Sequence, residues 1–78
     1  MANAIPPADT KLYPQERHNR ILELVATRGR VEVTTLADEL AATTETIRRD
    51  LTKLVRQGLV RRVHGGAIHV ERLGYEPT

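Results

Sequence analysis

A mainly α-helical domain with a small β-sheet is the fold the sequence predicts, in the order helix, strand, helix, helix, strand, strand. Three observations predict it. Apolar residues recur at helical spacing in three separate stretches. Two β-branched runs flank a Gly-Gly pair near residue 65. Between and beside these, Lys and Arg collect in one contiguous segment.

Residues 1–13, with Pro6 and Pro7 and no periodicity, read as a flexible tail. Pro14 suits the first turn of a helix, where its missing N–H costs nothing. Ile21, Leu22, Leu24 and Val25 then form an apolar stripe, and Arg28-Gly29 closes the helix with a cation and a glycine cap. Arg30-Val31-Glu32-Val33 alternates as a short strand does. Thr34 is the expected N-cap of a second helix carrying Leu36, Ala37, Leu40 and Ala41. Thr43 is the expected N-cap of a third, which runs to about Gln57 and is closed by Gly58. In that helix Ile47, Leu51 and Leu54 share one face, Glu45, Arg49 and Lys53 occupy the opposite one, and Arg48 and Asp50 sit on the two shoulders. Leu59–Val63 and Ala67–Val70 are strands bridged by His64-Gly65-Gly66, where glycine tolerates the positive φ of a tight hairpin. The expected core is Ile21, Leu24, Val25, Leu36, Leu40, Ile47, Leu51, Leu54, Leu59 and Val63. Residues 14–70 thus form one domain, and residues 71–78 turn polar and irregular.

Composition narrows the possible functions. Seventy-eight residues make one small domain with little room for an internal cavity. No cysteine is present, so neither disulfides nor thiolate metal sites are available. His18, His64 and His69 lack ligand spacing, and no nucleophile–base set or phosphate-binding glycine loop occurs; no cofactor, metal or catalysis is expected. Two tyrosines are the whole aromatic complement, too few for stacking on single-stranded nucleic acid. No apolar run approaches the roughly 20 residues of a membrane span, so a cytoplasmic protein is expected.

Charge placement is the most informative signal. Residues 43–66 contain Arg48, Arg49, Lys53, Arg56, Arg61 and Arg62 against Glu45 and Asp50, a local net charge of +4 in a chain of net +2. A short link, Ala41-Ala42, between the second and third helices makes a helix-turn-helix candidate. Its third helix would carry donors into a DNA major groove. Arg49 is placed for two parallel hydrogen bonds to guanine, and Glu45 for cytosine N4 or the helix's own N-terminal dipole. Thr43, Thr44 and Thr46 occupy the first turn, the end that reaches deepest. Arg48 and Lys53 flank Arg49, while Arg61, Arg62 and His64 on the hairpin suit phosphates or the minor groove. Asp50 reads as structural, paired with Arg49 or a hairpin arginine.

These residues resemble the N-terminal domain of DeoR-family transcription regulators. The likeness begins at Glu16-Arg17 and passes through Ile21 and Val25. It is strongest in Thr43-x-x-Thr46-Ile47-Arg48-Arg49-Asp50-Leu51 and in Gln57 to Ala67, covering about 50 residues. The resemblance implies a winged helix-turn-helix that binds a double-stranded DNA operator, usually as a repressor of sugar or nucleoside metabolism genes. It also implies a C-terminal domain, absent from these residues, that binds a phosphorylated sugar and drives homo-oligomerisation. Tyr75-Glu76-Pro77 is similar to the segment leading there, and the isolated chain would be monomeric or weakly dimeric. The family's turn often carries Gly or Asn where this chain has Ala41; a positive φ there would cost Ala roughly 1 kcal/mol. The competing reading is a winged helix used as a protein-interaction module, which would expose apolar residues on the third helix or hairpin.

Overall fold

The computed structural model describes residues 13–70. Its elements are α1 (Pro14–Arg28), β1 (Arg30–Glu32), α2 (Val33–Glu39), α3 (Thr44–Arg56), β2 (Val60–Val63) and β3 (Gly66–His69). Three helices and a three-stranded antiparallel sheet make a winged helix-turn-helix. The expected linker, and all of the expected tail except Tyr13, lie outside the described residues.

α1 starts as the sequence suggests, with Pro14 in its first turn and the Glu16 carboxylate accepting from the Tyr13 N–H at 3.1 Å. It ends on Gly29 at φ 83°, whose N–H reaches the Val25 carbonyl at 2.7 Å. α2 begins two residues earlier than expected: Glu32, not Thr34, is its N-cap. The cause is tertiary. Val33 is buried, and its N–H donates to the Gly65 carbonyl at 2.8 Å, so the hairpin fixes where β1 gives way to the helix.

α2 closes with a Schellman pattern, in which Ala42 N–H donates to Ala37 O at 2.9 Å and Ala41 N–H to Asp38 O at 3.4 Å. Ala41 is the left-handed residue this motif requires, at φ 55°. α3 ends the same way around Gly58 at φ 76°, with Leu59 N–H bonded to Leu54 O and Gly58 N–H to Val55 O. Leu59 therefore belongs to the cap rather than to β2. It is 42% exposed, a correction to its expected core position, and Val60 at 2% takes the buried place.

β3 lies between β1 and β2. Val31, Ala67 and Arg62 are cross-strand partners in one row, and Arg30, Ile68 and Arg61 in the next, which faces the other side of the sheet. Gly66 pairs with Val63 as the first residue of β3, so the turn is His64-Gly65 alone. Gly65 has the positive φ, 76°. Gly66 is required for a different reason: a Cβ there would sit 2.0 Å from the Val31 carbonyl oxygen.

The buried core joins Ile21 and Val25 of α1, Leu36 and Leu40 from α2 and its cap, and Ile47, Leu51 and Leu54 of α3. Val31, Val33, Ala37, Val60 and Ala67 complete it, whereas Leu24 only packs against its edge and Val63 is half-buried. Aliphatic burial of this kind stabilises by about 25 cal/mol per Å² removed from water. Its effect here is to fix the rotation of α3 about its own axis.

Candidate nucleic-acid interface

With Ile47, Leu51 and Leu54 buried, α3 turns Glu45, Arg48, Arg49, Thr52, Lys53 and Arg56 outward. Arg49 and Glu45 are the most open of these, at 75% and 72% side-chain exposure, and pair at 3.3 Å across one helical turn. A surface pair of this kind contributes less than about 1 kcal/mol and is readily exchanged for a ligand. Lys53 and Arg48 are exposed and form no ion pair among the described residues.

The first turn of α3 is held by its cap. The Thr43 hydroxyl accepts from Thr46 N–H at 3.1 Å and donates to the Thr46 hydroxyl at 3.0 Å. Both threonines thus have structural partners, and the Thr46 hydroxyl keeps its own proton to donate. Thr44, half-buried, opens the helix beside them.

Asp50 corrects the expectation drawn from its neighbours. It is 4% exposed and pairs with neither Arg49 nor a hairpin arginine. Its partners are on α1: Arg17 Nε binds Oδ2, Arg17 Nη2 binds Oδ1 at 2.9 Å, and His18 Nε2 lies 2.9 Å from Oδ1. Against an ionised carboxylate, His18 Nε2 must carry the proton. The hydrogen bond to Asp50 raises the Arg17 pKa despite partial burial, so the guanidinium stays charged. The two-pronged geometry locks α3 to α1.

The hairpin divides its cations. Arg62 follows Val60 on the sheet side facing the helices, and it lines a cleft with Arg48 and His64. Arg61 projects to the opposite side, in the row of Arg30. Arg30 also braces the turn, bonding Glu32 at 2.7 Å and the His64 carbonyl at 3.3 Å. Neither Arg30 nor Arg17 carries a functional signal in the sequence; both sit in stretches that look like ordinary solvated strand or helix.

This frame is shared with known proteins. The family description "DeoR-like helix-turn-helix domain" matches residues 17–72. The chain belongs to the DeoR-like helix-turn-helix family. The transcriptional regulator GlpR of Haloferax volcanii is 45% identical to this DeoR-like domain over 67 residues, which are 86% of the chain and 26% of GlpR. The transcriptional repressor CsqR of Escherichia coli is 47% identical over 58 residues, 74% of the chain and 22% of CsqR. The Escherichia coli glycerol-3-phosphate regulon repressor is 46% identical over 52 residues, 67% of the chain and 21% of that repressor. The DeoR-like chain therefore spans about a quarter of the length of the curated relatives it matches. No solved structure matches it significantly. These relatives are transcription regulators rather than enzymes, and the DeoR-like domain is a DNA-binding module. No helix among its described residues is long and apolar enough to cross a membrane.

Proposed function

We propose that the chain recognises a specific duplex DNA sequence by inserting α3 into the major groove, with the β2–β3 hairpin against the flanking backbone. The outward face of α3 carries this reading: it presents Arg48, Arg49 and Lys53 with Thr44, Glu45 and Thr46, and no large apolar side chain. An α-helix with its side chains is about 10–12 Å across, the width of the B-DNA major groove. Arg49 is the base reader, and Thr43, Thr44 and Thr46 bring the capped first turn to the groove. Arg61, Arg62 and His64 contribute backbone contacts. The protein-interaction alternative requires exposed apolar surface on α3 or the hairpin, yet among the described residues the exposed large hydrophobics are Tyr13 and Leu59, neither of them within α3, β2 or β3.

The biological role we infer is repression of sugar or nucleoside metabolism genes in the cytoplasm. The repressor names borne by CsqR and the glycerol-3-phosphate regulon protein support it. A phosphorylated sugar as effector, and homo-oligomerisation, would belong to a further domain of a longer protein.

Selection of bound sequences from a random duplex pool tests the central claim. Enrichment of one sequence class is expected, and a pool that stays random would sink specific recognition. Arg49→Ala should then weaken the selected duplex more than a scrambled one, by about 1–3 kcal/mol of lost discrimination. An equal loss on both would reassign Arg49 to phosphate contact.

A further inference from the structure

Arg48 leaves α3 on the shoulder turned toward the hairpin. There it lines an open cleft of about 410 Å³ together with Thr34, Arg62 and His64, between walls formed by Val33 and Val63. The cleft brings together three segments distant in sequence, and no carboxylate lines it. Arg48 and Arg62 form no ion pair among the described residues. Glu32, beside the Gly65 turn, is neutralised by Arg30 at 2.7 Å. Two guanidinium groups, an imidazole and a hydroxyl therefore line one cleft, and the two guanidinium charges have no carboxylate partner there. Such a donor set suits a tetrahedral oxyanion, toward which arginine makes short charge-assisted bonds.

We propose that this cleft seats a single phosphodiester of the DNA backbone, clamped between Arg48 of the helix and Arg62 of the hairpin, with His64 and Thr34 as further donors. The proposal rests on the duplex-binding reading above and deepens it. A helix that fills the major groove turns its shoulders toward the groove walls, and those walls are sugar-phosphate. Arg48 precedes Arg49 and lies about 100° from it around the helix. When Arg49 faces the bases, Arg48 faces a wall, on the side where Arg62 already waits. The opposite shoulder is Asp50, whose charge would repel the other wall were it not buried against Arg17 and His18. Adjacent arginines thus do different work: Arg49 selects sequence, and Arg48 with Arg62 sets the depth and register of the helix.

The test uses the whole chain and a duplex selected by it, with single neutral methylphosphonates placed at each backbone position in turn. Wild-type protein should lose about tenfold in affinity at one position, the scale of one charge-assisted hydrogen bond. Arg48→Ala should lose part of that sensitivity at the same position and the Arg48→Ala, Arg62→Ala double variant all of it, while Arg49→Ala stays fully sensitive. The double variant should also reduce the steepness of the salt dependence by about 0.9, equally on selected and scrambled duplex. Arg48→Lys should retain the sensitivity, because a point charge serves a phosphate but not a two-pronged base contact. Circular dichroism of each variant confirms that it is folded. Full methylphosphonate sensitivity in Arg48→Ala, or a loss confined to the selected sequence, overturns the proposal. Competition by inorganic phosphate at constant ionic strength that disappears in the Arg48→Ala, Arg62→Ala double variant would make this a free-anion site instead, and overturns it too. Wild-type chain that binds no duplex at all would overturn the DNA reading itself.

Discussion

Ala41 carries the least comfortable backbone in the domain. All three helices end on a residue with positive φ; at Gly29 and Gly58 that conformation is free of Cβ strain, and at Ala41 it is not. Ala41→Gly is therefore expected to stabilise by about 1 kcal/mol. Thermal unfolding should show the melting temperature rising by roughly 4–8 °C for a domain of this size. DNA affinity should not change, because the turn precedes the outward face of α3. An unchanged melting temperature would mean that the extra freedom of glycine in the unfolded chain offsets the relieved strain. The position of this strain is legible in the sequence, since a cap residue is local and its motif has a fixed length. The role of Gly66 is not. Gly65 and Gly66 look alike as turn residues, and only the approach of β1 separates a glycine needed for its φ from one needed for its missing Cβ.

At the scale of elements, periodicity located all three helices, because each buries one stripe and its caps are written in neighbouring residues. Contacts between elements are what it could not supply. Asp50 meets Arg17 and His18 across 33 and 32 positions, a separation no helical spacing encodes. The same holds for the start of α2, set by a bond from Val33 to the hairpin. Asp50→Asn is expected to cost about 2–3 kcal/mol in chemical denaturation, since Arg17 loses the charged partner that compensates its partial burial. Adding Arg17→Met to that variant should cost little more, giving a coupling of about 1–3 kcal/mol in the double-mutant cycle. Additive losses would show that the two side chains act separately and that α1 does not lock α3 through them. The division of the hairpin arginines is likewise an outcome of strand alternation: Arg61 and Arg62 are neighbours in sequence and face opposite sides of one sheet.

For the molecule as a whole, the charge map is readable from the chain alone, because the excess of Lys and Arg over Asp and Glu in residues 43–66 needs no folding to be seen. Folding decides which of those charges act together. If Arg48 and Arg62 together neutralise one phosphate and Lys53 a second, the logarithm of the binding constant should fall with the logarithm of salt at a slope of about −2. Titration of a fluorescent duplex at several salt concentrations measures it, and a flat response would exclude an electrostatic grip. The strand order has a separate consequence, for how the domain comes into being. β1 and β2 do not pair with one another; each pairs with β3, the last of the three to leave the ribosome. Until residues 66–69 emerge, neither earlier strand has a hydrogen-bonded neighbour. The domain is thus completed by its final strand. A chain interrupted just before Gly66 would hold all three helices and most of the basic segment, yet have no sheet with which to fasten them.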